Sequence, residues 1–349
     1  MKMTLKICAI AALALAAGCA GTPETGAKKP CARIEFDPMP QLMRFGDTAQ
    51  RDETRPFAKD PTVIRHNGRY LMYYSVNYDP KNYPHRLPKG KKRGWWGAVA
   101  ESTDLVNWKR ICDIEPVGAP DFAEACVAPC VKKIDGKIHM FSQGKVKGGN
   151  RNSAIWHATS EDGITFTLDG KEPVFRPSNK WSIDRAIDAE VYRVGDKLIL
   201  MYATRDLPGK IQILGMASAP YGSSYSKGTW TEITTDGPFL KPDLPWEMSC
   251  IEAATVIERK GIWYMFYAGA YNHERQQIGA AWSADGINFM RLQDTPVLPH
   301  GPKGSWNAWE GGHPGVFEDD DGQVYLFYQG KATLKGDYQL SCLKVRFVD

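Results

Sequence analysis

A chain of 349 residues has room for one large core or two ordinary ones. Its charged share of 24% and hydrophobic share of 43% are those of a folded globular protein, and a net charge of +4 is too small to argue for nucleic acid as a partner. The 11 Trp and 15 Tyr are many for this length, and aromatics of this kind suit β-strands and sugar-binding surfaces.

In chain order, the first element is an export signal. Lys2 and Lys6 precede a short apolar run over residues 7–17, too short to remain as a membrane-spanning helix. The run ends at Leu15-Ala16-Ala17-Gly18-Cys19, which resembles a bacterial lipobox and implies a mature chain lipidated at Cys19. Ala20, where retention at the inner membrane would call for Asp, implies the outer membrane by the same resemblance. Residues 20–30 then read as a flexible tether. Beyond the signal, Cys31, Cys112, Cys126, Cys130, Cys250 and Cys342 remain. An even number in an exported protein permits disulfides, and buried free thiols are the other reading. Cys126 and Cys130, if extended, lie roughly 13 Å apart, beyond disulfide reach.

A repeat follows. Gly68, Gly136, Gly195, Gly261 and Gly322 each precede a strand rich in Tyr, Met and Phe, at intervals of 136−68 = 68, 195−136 = 59, 261−195 = 66 and 322−261 = 61. Before each lies a strand carrying Val63, Val131, Val191, Val256 or Val316, joined by a hairpin signal such as Asn67-Gly68 or Asp135-Gly136. A run of small residues follows in several units, then a turn such as Ser160-Glu161-Asp162-Gly163, whose Ser and Asp are suited to cap the turn backbone. The pattern predicts an all-β fold, a five-bladed β-propeller with four antiparallel strands per blade. The predicted organisation is a signal peptide over 1–19, a tether and N-terminal segment over 20–54, and the propeller over 55–349.

In a propeller the first strand of each blade lines the axial channel. Counting back three from each Val gives Asp60, Ala128, Asp188, Ala253 and His313, with Glu252 one place earlier than the alignment asks. The channel mouth is therefore predicted to carry Asp60, Asp188, Glu252 and His313. Glycoside hydrolysis needs one carboxylic acid for the leaving oxygen and a second carboxylate to activate water or attack the sugar. A third carboxylate beside the acid would raise its pKa. Glu190, two residues past Asp188, competes for the blade-three position because strand side chains alternate, and Glu124 is a lesser candidate.

These residues resemble the family 43 glycoside hydrolases and their five-bladed relatives, which include families 32, 62 and 117. The likeness rests on Asp60-Pro61-Thr62-Val63, Ala128-Pro129 with Asp135-Gly136-Lys137, Ile187-Asp188, Glu252 four residues before Val256, and His313. Ala189 stands where the family usually has Pro, and Ala253-Ala254 where Gly-Pro is common. The resemblance implies Asp60 as general base, Glu252 as general acid, Asp188 as the group that raises the pKa of Glu252, and inversion at the anomeric carbon. It implies α-L-arabinofuranosides or β-xylosides as substrates, with a 3,6-anhydrogalactosidase of the marine-glycan type as the other enzyme reading. It requires no cofactor; a structural calcium at His313 is the one metal it admits. The motifs of family 32 are absent. A glycan-binding lipoprotein without catalysis and a glycoside phosphorylase are the readings from other classes.

For substrate binding the sequence offers Trp95, Trp96, Trp181, Trp246, Trp306 and Trp309 as stacking platforms, with Arg185 and His313 beside them. The basic blade-one insertion, with Lys81, His85, Arg86, Lys89, Lys91, Lys92 and Arg93, would favour an acidic glycan if it folds over the channel. The expected partners are an oligosaccharide or polysaccharide and, through the lipid, a membrane.

Overall fold

The computed structural model describes residues 28–48, 56–78, 94–119, 126–146 and 153–349. Cys19, the basic insertion and Glu124 lie outside the described residues.

The described chain is five four-stranded antiparallel sheets in sequence. An initial strand β1 (Arg33–Pro38) precedes them. Blade one is β2 (Lys59–His66), β3 (Arg69–Tyr78), β4 (Gly94–Ser102) and β5 (Lys109–Asp113). Blade two is β6 (Val127–Ile134), β7 (Lys137–Lys145), β8 (Ser153–Ser160) and β9 (Thr167–Leu168). Blade three is β10 (Ile187–Val194), β11 (Lys197–Arg205), β12 (Gln212–Pro220) and β13 (Thr231–Glu232). Blade four is β14 (Ile251–Arg259), β15 (Ile262–Gly269), β16 (Gln277–Ser283) and β17 (Met290–Arg291). Blade five is β18 (Glu310–Glu318), β19 (Val324–Lys331) and β20 (Gln339–Val348), with β1 as its outer strand. The only helix among the described residues is one 3₁₀ turn at Pro245–Glu247.

The five-bladed propeller read from the repeat is therefore the fold. Its boundary at residue 55 leaves out one strand. Arg33–Pro38 pairs antiparallel with β20, Ile34 facing Phe347, so the N-terminal segment closes the ring. No repeat signal marks that strand, because it is one strand without a blade of its own.

Local chemistry explains the units. Three of the inner hairpins turn through paired residues of positive φ, as at Asn67 (51°) and Gly68 (77°), the geometry of a type I′ turn. The outer turns are capped as expected. Ser160 Oγ accepts the Gly163 N–H at 2.9 Å, and Asp162 Oδ1 accepts the N–H groups of Ile164 and Thr165 at 2.7 and 2.8 Å. Ser283 and Asp285 repeat the arrangement in blade four. Blades hold together through apolar layers between neighbours. Leu71 and Tyr73 of blade one meet Met140 and Trp156 of blade two; Phe141 of blade two meets Leu200 and Tyr202 of blade three. The six cysteines among the described residues are free thiols, five of them buried, so the disulfide reading gives way to the other one.

One irregularity recurs in every blade and creates the site. The first strand bulges at its axial end, between Lys59 and Thr62, Val127 and Cys130, Ile187 and Glu190, Glu252 and Thr255, and Gly312 and Gly315. The residues in the left-handed region at these bulges are Asp60 (φ 56°), Ala128 (45°), Asp188 (50°), Ala253 (52°) and His313 (43°). These are the residues reached by counting back three from each Val. A bulge bends its strand and re-aims a side chain, at a cost in backbone strain. It also frees an amide, and the preceding blade satisfies it in three of the five cases. Gln329 Oε1 accepts Asp60 N–H, Ser75 Oγ accepts Ala128 N–H, and Gln143 Oε1 accepts Asp188 N–H.

Candidate active site

Asp60, Asp188, Glu252 and His313 converge on one axial cavity of about 330 Å³, as predicted, and Lys59, Trp95, Gln143, Lys145 and Asn272 complete much of its wall. All four central residues are buried or nearly so. The imidazole of His313 stands between the outer two carboxylates. Nδ1 lies 2.9 Å from Asp60 Oδ1, and Nε2 lies 3.1 Å from Glu252 Oε1. The ring and its two contacts therefore hold the two acidic oxygens within about 8 Å of one another, close enough for both to act on one glycosidic bond.

Glu252 is the most heavily supported of the three. Gln276 Nε2 donates to Oε1 at 2.7 Å, and Gln212 Nε2 donates to Oε2. Gly312 makes room for Gln276: a Cβ there would meet Gln276 Oε1 at 1.9 Å. Arg185 acts one layer back. Its Nη1 donates to Gln212 Oε1 at 2.9 Å, so it braces the amide that holds Glu252 and does not pair with Asp188. Asp188 is held differently: its Oδ2 is buried with no hydrogen-bond partner among the described residues.

These surroundings set the charges. Burial pushes the His313 pKa down, but Asp60 and Glu252 outweigh it and hold the ring protonated well above its usual range. Burial favours the neutral form of Asp60, yet Lys59 and His313 hold its carboxyl well below the usual range. Glu252 is likewise lowered, burial being outweighed by His313, Lys59 and Gln276. Asp188 goes the other way: burial, with Glu252 and Asp60 nearby, pushes it up to about 7 despite His313. His313 and two carboxamides favour Glu252 as carboxylate, whereas burial and the nearby Glu252 and Asp60 favour the protonated form of Asp188.

Asp188, Glu252 and His313 each bring a ligand atom within 4.8 Å of the others. They offer one nitrogen and two carboxylates, fewer protein oxygens than the six to eight oxygen ligands calcium takes.

Several substrate-binding expectations are corrected. Trp95 lines the cavity, with Lys59 Nζ 5.5 Å above its ring. Trp96, the next residue on β4, packs against the core between blades five and one. Trp246 stacks on Tyr267 at 5.9 Å and covers Gly269 and Gly279, so it is packing between blades three and four. Trp181 donates its Nε1–H to Thr234 O at 2.8 Å, away from the axial cavity. Trp306 packs near Tyr328 beneath Arg44. Trp309 donates to Asn272 O at 3.3 Å and so steadies the loop that brings Asn272 to the cavity.

Glu190 does not compete with Asp188. Glu190 lines a small axial pocket with Asp188 and His313, but its carboxylate is taken up by the inner strands on either side. There it meets Lys132 Nζ at 2.8 Å and accepts Val256 N–H at 2.9 Å, linking blades two, three and four.

Lys59 was missed by sequence reasoning. Its Nζ is buried, 3.8 Å from Asp60 Oδ1 and 3.3 Å from Asn272 Oδ1. The signal was present: Lys59 holds in blade one the pre-bulge position that Glu252 holds in blade four.

The family model for "Glycosyl hydrolases family 43" matches residues 54–341. The chain belongs to glycosyl hydrolases family 43. This family 43 chain finds no match among curated proteins. Its fold is shared with solved structures at low identity. A thermostable family-43 glycoside hydrolase superposes with a TM-score of 0.62 at 19% identity, covering 84% of this chain and 90% of its own. An exo-1,5-α-L-arabinanase from a bovine ruminal metagenomic library gives 0.57 at 18%, covering 84% and 95%. An α-L-arabinofuranosidase from Lactobacillus brevis gives 0.56 at 17%, covering 82% and 90%. Membership makes the chain a glycosidase with a carbohydrate substrate, and the five blades are the scaffold of its family 43 site.

Proposed function

We propose that this family 43 glycosidase releases α-L-arabinofuranosyl or β-xylosyl residues with inversion. Asp60 is the base that activates water, and Glu252 is the acid that protonates the leaving oxygen. The observation that carries the reading is the His313 bridge, whose two ends meet the two carboxylates and hold them close enough for both to act on one glycosidic bond.

The charges support the roles. Lys59 and His313 keep Asp60 ionised, as a base must be. Glu252 must acquire a proton before it can act. Asp188 holds one in the same pocket, and a sugar oxygen placed against Glu252 would favour its transfer. Arabinanase and arabinofuranosidase structures among those of similar fold favour pentosides as the first substrates to try. The cavity's size argues for one terminal sugar at a time. Hydrolysis of 4-nitrophenyl α-L-arabinofuranoside or β-D-xyloside by the purified protein tests the reading; activity confined to hexosides or dependent on phosphate contradicts it.

The shared proton gives a pH dependence. Asp188 holds its proton below about pH 7 and loses it above. Once the pair is fully ionised, Glu252 has no proton to receive, so kcat/KM falls as pH rises through about 7. Asp188→Asn removes the neighbouring negative charge and the proton source, and the basic limb moves to lower pH. A pH profile of kcat/KM for both proteins checks this; an unchanged limb in the variant contradicts the assignment.

A further inference from the structure

One more buried carboxylate stands behind Asp60. Glu310, the first residue of β18, is fully buried, and it does not line the axial cavity. Burying a carboxylate is costly unless its oxygens are matched by donors. Glu310 meets three. Lys331, its cross-strand partner on β19, brings Nζ to 3.3 Å from Oε2. Gln329 Nε2 and Asn272 Nδ2 donate to Oε1 at 2.7 and 3.1 Å.

The Lys331 contact alone would make a structural ion pair within blade five. Oε1 leads elsewhere, by two routes that both end at Asp60. Gln329 Oε1 accepts the Asp60 N–H at 3.2 Å, at the bulge whose left-handed backbone aims the Asp60 side chain. Asn272 Oδ1 accepts from Lys59 Nζ at 3.3 Å, and that ammonium stands 3.8 Å from Asp60 Oδ1. Both carboxamides are oriented by the same rule: nitrogen toward the Glu310 carboxylate, oxygen toward an N–H donor. The ring of Tyr338 lies beside both ammonium groups, 4.8 Å from Lys59 Nζ and 4.3 Å from Lys331 Nζ, and its hydroxyl accepts from Lys331 at 2.6 Å. Trp95 lies 5.5 Å from Lys59 Nζ on the cavity side. Asn272 Nδ2 also reaches Gln276 Oε1 at 3.3 Å, toward Glu252.

We propose that Glu310 is a positioning residue for the general base. It fixes the carboxamide that caps the Asp60 amide and the carboxamide that places Lys59 beside the Asp60 carboxylate. The inference rests on the assignment of Asp60 as base and extends it to a residue that touches no sugar.

Glu310→Gln tests it. The amide keeps the volume, but whichever way it turns, its NH2 group faces a donor. On a 4-nitrophenyl pentoside kcat is expected to fall about tenfold or more with KM within about twofold, since a base misplaced by even about 1 Å loses rate and not binding. The loss is the same across aryl glycosides of graded leaving-group acidity. In the Asp60→Asn background the same substitution costs less than about twofold, because the base it positions is already absent. A merely structural role would cost the same factor in both backgrounds, and that result overturns the proposal. So does an unchanged kcat in Glu310→Gln, or a loss confined to poor leaving groups, which would place its effect on Glu252 through Gln276. If Glu310→Gln does not fold, Gln329→Met goes through the same cycle. It cuts one route and leaves the Lys331 pair, with a loss of about threefold or more expected in the Asp60 background alone. Failure of the underlying assignment is seen separately: normal turnover by Asp60→Asn removes the base, and this proposal with it. If the wild type hydrolyses neither pentoside, the pentoside reading has failed by itself, and crystal structures of wild type and Glu310→Gln decide. Lys59 Nζ and the Asp60 carboxylate displaced in the variant support the proposal; both in place overturn it.

Discussion

Glu252→Gln lowers kcat by about 10²–10⁴-fold on natural glycosides and far less on an aryl glycoside whose phenolate leaves without help. The reason is specific to a general acid. A sugar alkoxide is a poor leaving group and needs its proton during bond cleavage, whereas a strongly acidic phenol does not. The amide keeps the volume of Glu252 in a site ringed by Gln212, Gln276 and His313, so the pocket retains its shape. Substrate binding should persist. The comparison is made by steady-state kinetics on a series of aryl glycosides of graded leaving-group acidity. A loss of equal size across the series would remove Glu252 from the acid's role.

Asp60→Asn should give the complementary result, a loss in kcat on the order of 10²–10⁴-fold that does not depend on the leaving group. Here the missing function is activation of water, which every substrate requires. The substitution also takes away one of the two carboxylates that keep His313 protonated. Lys59 would then face an amide in place of its nearest anion. The same graded series checks this variant. A loss confined to poor leaving groups would exchange the roles of Asp60 and Glu252, and normal turnover would remove Asp60 from catalysis.

Much of this was legible in the sequence because the fold repeats. The Gly before each aromatic strand set the number of blades, and the Val of each inner strand set the register. Asp60, Asp188 and His313 are therefore equivalent in the sequence itself. Their equivalence has a backbone cause, since each is the left-handed residue of a β-bulge. Simple alternation set Glu190 on the side of Asp188, and the two line one small axial pocket, but the Glu190 carboxylate is committed to Lys132 and Val256 of the neighbouring blades.

What remained hidden was contact between side chains of different strands, loops and blades. Gln276 and Gln212 reach Glu252 from loops and strands with no shared motif, and Gln329 and Gln143 cap bulges of the blade that follows their own. Lys59 carries no motif of its own, yet it lies buried beside Asp60. The tryptophans were ambiguous for a different reason. Trp95 and Trp96 are adjacent on one strand, and alternation sends one to the cavity and the other to the core. Composition cannot distinguish such a pair.

The central claim is that Asp60 and Glu252 act across one sugar, on either side of the His313 bridge, in a single displacement by water. The most direct test is the configuration of the first product, followed by proton NMR during hydrolysis of a pentoside and before mutarotation. The account predicts that the initial sugar has the anomeric configuration opposite to that of the substrate. Initial release with the substrate's own configuration would mean a covalent glycosyl-enzyme, and would contradict it.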